Sequence, residues 1–185
     1  LGIAANVSNS HGRAFRYRVD YQVDASLKAS LVVPTRGDID FLRRFIEGLQ
    51  KTSFSNWEIV FVWNDSVSSG VLEFASGCDL QQKISVAVTP EQFALSAYCN
   101  LGARRANGDI LVFMHDDVIP GEPEWLETML GFAARPDVGV VGTMTRHADN
   151  TIQQAGLSFV RDSVVPLAAG TDACSPGYLL SLIHI

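Results

Sequence analysis

Cysteine is scarce in this chain of 185 residues: there are three, Cys78, Cys99 and Cys174, widely spaced and with no CxxC pair. That excludes a disulfide framework and fits a reducing, cytoplasmic location. Long apolar runs are also missing, and a bilayer span needs about 20 residues. The opening LGIAANVSNSHGRAF has no apolar stretch of the kind that drives secretion. Positive charge is in short supply. Lys plus Arg is 14 against 20 for Asp plus Glu, a net charge of -6, which argues against nucleic acid as a partner, because that needs a basic face. The 15 glycines build no phosphate motif. No GxGxxG follows the first buried strand and no GxxxxGK[ST] occurs, which counts against dinucleotide enzymes and P-loop nucleotidases. No GxSxG elbow supports a hydrolase triad. Repeats and low-complexity segments are absent.

What is present is an ordinary globular composition, 47% hydrophobic and 18% charged. The length suits one domain, or a piece of one, able to bury about 70% of its unfolded surface. The chain starts at Leu1 and stops in an apolar run, GYLLSLIHI. Natural termini usually fray into solvent. The expectation is therefore a fragment whose C-terminal continuation is missing, with Tyr178 to Ile185 free to pair with a second copy.

Periodicity then organises the chain. Residues 1–13 read as a mobile lead-in. Over 15–23, Phe15, Tyr17, Val19, Tyr21 and Val23 alternate with Arg16, Arg18, Asp20 and Gln22, the period of a half-buried strand at an edge or in an arm. Apolar runs at Ala29 to Val33, Trp57 to Trp63, Ile84 to Val88, Asp109 to Met114 and Val138 to Val141 read as buried strands. Helices are predicted over 39–51, capped by Asp38, over 91–107, closed by Gly108, and from Pro123 to Pro136. Strands that are apolar throughout and alternate with helices predict an α/β fold with a mostly parallel sheet covered on both faces. Ligands in such folds bind beyond the carboxyl ends of the strands.

Three loops should meet at that rim: Pro34-Thr35-Arg36-Gly37-Asp38, Asn64-Asp65-Ser66 and His115-Asp116-Asp117. The last carries most chemistry. Adjacent carboxylates repel by several kcal/mol at an effective dielectric near 20. Either a cation stands opposite or one acid is raised in pKa. A hard divalent ion takes carboxylate and phosphate oxygens together; the plainer reading is two acids ending a strand in a solvated turn. His115 reads equally as a hydrogen-bonded loop residue. Arg104 and Arg105 near a helix end serve either phosphates or the helix's own carbonyls.

The blocks ASLVVPTRGDIDFLRRFIEGL, WEIVFVWNDS, FALSAYCNLGARRANGDILVFMHDDV and PEWLETMLGFAARPDVGVVG resemble successive blocks of glycosyltransferase family 2. DNTIQQAGLSF (149–159) is similar to the subgroup of rhamnosyltransferases and O-antigen assembly enzymes. The resemblance implies the GT-A fold, a nucleotide-binding α/β sandwich, here C-terminally truncated. It also implies a division into an arm with a possible edge strand (1–27), a nucleotide-sugar-binding core (28–160) and an incomplete start of the acceptor side (161–185).

The resemblance further implies roles. Pro34 and Thr35 would line the base and ribose pocket, Asp116 would face the ribose, and Asp117 would hold Mn2+ or Mg2+ against the donor's diphosphate. Asn100 and Arg104 would lie near the nucleotide. The family usually has Asp directly after the second strand, where this chain reads Trp63-Asn64-Asp65-Ser66. Either Asp65 acts from a shifted position or Trp63 stacks on the base. The catalytic base is expected beyond Ile185, since Asp162 and Asp172 come too early. The implied activity is inverting transfer of a sugar from a nucleotide-diphosphate donor to a glycan or lipid-linked acceptor. It would belong to cell-wall or polysaccharide synthesis, in the cytoplasm or at the membrane's inner face, with this chain as the inactive donor half. The alternative is a non-catalytic GT-A-like binding or assembly module.

Overall fold

The computed structural model describes residues 4–9, 17–65 and 69–174. Its centre is a four-stranded sheet of β3 (Ala29–Pro34), β4 (Trp57–Asn64), β5 (Ile84–Thr89) and β6 (Ile110–Phe113), in the order β5-β4-β3-β6. Every pairing is parallel, with Leu31 opposite Ile59 on one side of β3 and opposite Val112 on the other.

The apolar runs form strands because both sheet faces are covered. On one face Leu31, Val33, Ile59, Phe61 and Trp63 join a core with Leu42, Phe45, Ile46 and Leu49 of α1 (Ile39–Leu49) and with Leu126 and Leu130 of α4 (Trp125–Ala133). The Phe45 and Phe61 rings meet edge to face at 6.2 Å. On the other face Val32, Val60 and Val62 pack against Tyr98 of α3 (Leu95–Arg105) and Ala87. Alternation therefore persists, but both registers are buried, which is why no polar period shows.

Two local devices set the helices. The Asp38 carboxylate accepts from the Asp40 and Phe41 amides at 3.0 and 3.2 Å, satisfying two of the free donors that open α1. Gly102 lets α3 lie flush on the sheet: a Cβ there would stand 2.4 Å from Cγ1 of Val32 and 2.9 Å from Cγ2 of Val62.

The amino ends of the strands are tied by Glu58. Its carboxylate accepts from Lys28 Nζ at 2.5 Å, Ser30 Oγ at 2.7 Å and the Asn107 amide at 2.6 Å. Burial pushes the Glu58 carboxyl up, but these donors outweigh it and hold it below the usual range. Close by, Lys83 stands over the Trp57 ring, 4.1 Å from its centroid, and donates to the Ser55 carbonyl.

The described residues divide into two compact units. One holds Ala4, 21–65 and 69–134, and the other 5–9, 17–20 and 135–174. Outside the central sheet β1 (Ala5–Asn9) pairs with β2 (Tyr17–Tyr21), β7 (Thr145–Arg146) with β8 (Ile152–Gln154), and β9 (Leu157–Val160) with β10 (Ser163–Pro166), the last two pairs antiparallel.

Several expectations are corrected. Residues 5–9 form a strand rather than a lead-in. The fifth strand at Val138 to Val141 does not form, and Val140 is 90% exposed. Three valines interrupted by Gly139 and followed by Gly142 make a weak strand without a neighbour to pair with. The third helix begins at Leu95, not Glu91, because the chain from Pro90 to Ala94 is held by side-chain contacts instead of helical bonds. A helix not expected from its sequence, α2 (Ser69–Gly77), forms because Val71 and Ala75 find burial. The apolar end, Tyr178 to Ile185, lies outside the described residues.

Two measurements check this packing. Gly102→Ala is expected to cost about 1–3 kcal/mol in urea unfolding, the usual effect of overpacking. Glu58→Gln should cost about 2 kcal/mol at neutral pH. Because the folded Glu58 pKa is lowered, its stabilisation is present above the unfolded pKa near about 4.3 and is lost as the pH falls through the folded value. The gap between wild type and Glu58→Gln should thus close towards pH 3; a gap that is constant with pH would refute the role given to Glu58.

Candidate functional site

Parallel pairing sends the loops after β3, β4, β5 and β6 to one rim of the sheet. Pro34 ends β3 buried, in register with Val62. Thr35 follows, also buried, and its amide donates to the Val62 carbonyl at 2.9 Å. Its hydroxyl donates to Oδ2 of Asp116 at 2.5 Å and accepts from the Gly37 amide at 2.9 Å. Gly37 sits at φ 85°, a left-handed turn that a side chain would strain. The hydroxyl thereby joins the β3 loop to the β6 loop across 81 residues of sequence.

The double acid is divided by this contact. Asp116 is half-buried and spoken for; Asp117 is exposed. Among the described residues no hydrogen bond or ion pair engages the Asp117 carboxylate or the imidazole of His115, also exposed; the His115 carbonyl accepts from the Val118 amide at 3.3 Å. The Met114 amide continues the ladder to the Val32 carbonyl, and the chain turns immediately afterwards, at Asp116 and Asp117.

At the β4 end, Asn64 is occupied. Its Nδ2 donates to the Pro90 carbonyl at 3.2 Å and to the Glu91 carbonyl at 2.6 Å. Asp65, whose amide bonds the Thr89 carbonyl, is exposed. Trp63 is only 2% exposed, inside the α1-side core, so the expectation that it stacks on a base is overturned. Strand alternation points it inwards.

The structure does not bring Asn100 and Arg104 to the rim. Gly102 and Tyr98 face the sheet. At about 100° per residue, positions 100 and 104 fall on the opposite side of α3, and both are exposed. Arg104 is also in the last turn of α3, three residues before Asn107, which bonds Glu58 at the amino ends of the strands. The family resemblance had implied that these two lie near the nucleotide.

A rim contact missed from the sequence is Arg36 over Phe93, with the guanidinium carbon 4.6 Å from the ring centroid. The two residues lie in different blocks of the chain, 57 positions apart in the sequence. Among the described residues no group of three His, Cys, Asp or Glu side chains converges as a ready-made metal cage. A single open carboxylate still fits a hard divalent ion of the kind that takes one or two carboxylates and completes its shell with waters and substrate phosphates.

Comparison with known proteins gives three findings. The model of the family described as Glycosyl transferase family 2 matches residues 30–169. The chain is 33% identical over 147 residues to the uncharacterized protein y4gI of Sinorhizobium fredii (strain NBRC 101917 / NGR234), covering 77% of this chain and 16% of that one. It is 29% identical over 143 residues to the O-antigen biosynthesis protein RfbC of Myxococcus xanthus, covering 77% of this chain and 11% of that protein. The chain thus spans under a fifth of the length of these relatives. Among solved structures, the mannosyltransferase PcManGT from Pyrobaculum calidifontis, in complex with GDP-Man and Mn2+, superposes with a TM-score of 0.59 at 18% identity, over 66% of this chain and 37% of that one. That likeness shows the fold, a GT-A sheet with helices on both faces.

The unequal standing of the site residues is open to test. Thr35→Val keeps the shape but removes both hydroxyl bonds, and should cost about 1–3 kcal/mol in urea unfolding. Asp117→Ala removes a carboxylate with no partner and should stay within about 0.5 kcal/mol of wild type. The reverse ranking would contradict the geometry described.

Proposed function

The chain belongs to glycosyltransferase family 2, and on that premise we propose that it binds a nucleotide-diphospho-sugar donor for inverting transfer to a glycan or lipid-linked acceptor. The observation carrying this reading is the division of the double acid: Asp116 held by Thr35, Asp117 left open on the same rim.

The chemistry follows from charge. A sugar diphosphate leaves poorly until its charge is offset, and this chain is net acidic at -6, so long-range attraction does not gather the donor. Local groups must do it. Asp117 would hold Mn2+ or Mg2+, which when bound would act as a Lewis acid on the departing diphosphate. Asp116 faces the ribose from a position fixed by the buried Thr35 hydroxyl, so little side-chain freedom is lost when the donor arrives. Asp65 stands at the β4 end, one place later than the family's usual acid, and contacts the base. Pro34 closes the pocket floor from its buried place at the end of β3. Asn100 and Arg104 take no part in the binding.

The acceptor and the general base that would take its proton belong to the longer protein's activity. The likeness to RfbC, an O-antigen biosynthesis protein, supports polysaccharide assembly as the setting. Three free thiols support a reducing compartment, and no helix among the described residues is long and apolar enough to cross a membrane.

Calorimetric titration of the folded chain with UDP, dTDP and GDP tests the reading. Binding of at least one is expected with Mn2+, lost with EDTA and weakened at least about tenfold in Asp117→Ala. No binding by any of the three in a folded sample would overturn it and favour a non-catalytic module.

A further inference from the structure

We propose that the apolar face of the β9–β10 hairpin seats on a lipid surface, at the boundary between headgroups and acyl chains. The inference goes beyond the donor-binding reading and stands whether or not a nucleotide binds.

The hairpin is the outer part of a longer ribbon with unequal ends. At the root Thr151 bridges Asp172, the Ala173 amide donates to the Asn150 carbonyl at 3.0 Å, and Ile152 and Ala173 are buried. The ladder continues from the Ala155 amide to the Leu167 carbonyl at 3.0 Å and from the Leu167 amide to the Gly156 carbonyl at 2.8 Å. It closes at Arg161 and Asp162, between the paired Val160 and Ser163. Arg161 has φ 52°, the positive value that a two-residue hairpin turn takes at its first position. Directly opposed residues of an antiparallel pair share a face, so Leu157 and Phe159 lie beside Pro166 and Val164. All four are exposed, Phe159 to 83%. The root of the ribbon is therefore enclosed and its tip is bare and apolar.

Charge and size decide what covers such a face. Between Asn150 and Thr171 the charged residues are Arg161 and Asp162, one of each sign. The whole chain carries -6, and an anionic leaflet repels it; this stretch is neutral on balance and approaches without that cost. A second copy of the chain is a poor match. Four side chains make the patch, whereas a stable protein interface takes about 20–30 residues a side. A lipid surface needs no matching partner, because acyl chains close around an apolar group that enters them.

The backbone sets the depth. Four paired residues per strand, at about 3.4 Å each, make the tip about 14 Å long, and interfacial elements enter by about 5–10 Å. Among the described residues β9 and β10 pair only with each other. Their outer amides and carbonyls still need water, which holds the hairpin at the wet boundary and out of the hydrocarbon.

Flotation of the 185-residue chain with vesicles of phosphatidylcholine, and of phosphatidylcholine mixed with phosphatidylglycerol, is the test. The chain is expected to float with both, at low and at high salt. Phe159→Ser should lower the partition coefficient about tenfold, the effect of taking one large apolar side chain out of the lipid. Its thermal melt should match wild type, because the ring is exposed. Arg161→Ala should leave binding to the neutral vesicles unchanged. No flotation with either composition would overturn the proposal. So would flotation with the anionic vesicles alone that salt abolishes, or equal binding of Phe159→Ser. A dimer in light scattering that Phe159→Ser dissociates, without flotation, would give the face to a second copy instead. None of these measurements involves a nucleotide, so their failure leaves the donor-binding reading standing.

Discussion

The hydrogen bond from the Thr35 hydroxyl to Asp116 is the contact on which the site depends. It joins the ends of two adjacent parallel strands whose loops have no other reason to share a geometry. The hydroxyl is buried, so its donor and its acceptor capacity both have to be met inside the protein, and Asp116 and the Gly37 amide meet them. One carboxylate of an adjacent pair is thereby given a fixed partner. The other is left facing solvent, where two like charges are best separated.

The two ends of the sheet are built on opposite principles. At the amino ends Glu58 takes three donors and Lys83 lies against Trp57, so charge is paired and enclosed. At the carboxyl ends Asp65 and Asp117 are exposed, and Arg36 rests on a ring rather than on an acid. Unpaired charge is tolerated at the rim because water solvates it.

Between the ends, the sheet is held by a division of faces. α1 and α4 cover one face with large side chains, while α3 meets the other through Gly102, where even a methyl group has no room. The close approach of α3 also fixes where Tyr98 stands, and through it the loop bearing Phe93. Packing in the middle of the sheet therefore reaches the rim through one side chain.

Much of this was legible in the linear chain. The runs ASLVVP and WEIVFVWN are apolar at every position because both registers are buried, and that property alone predicts a central parallel sheet. Asp38 before an apolar stripe marked α1, and two carboxylates after a buried strand marked the rim. Other features depended on contacts between distant residues. Residues 138–141 are apolar enough for a strand and form none; Ser69–Gly77 is a poor helix former and becomes one, because Val71 and Ala75 are buried. Asn100 and Arg104 are close to the double acid in sequence and lie on the side of α3 away from the sheet. Composition and period thus determined the fold class, the strand ends and the acidic pair. Which carboxylate is held, which aromatic is buried and which cation stands over Phe93 was decided only when residues up to 81 positions apart met, since side-chain direction at a loop is set by its neighbours and not by its order in the chain.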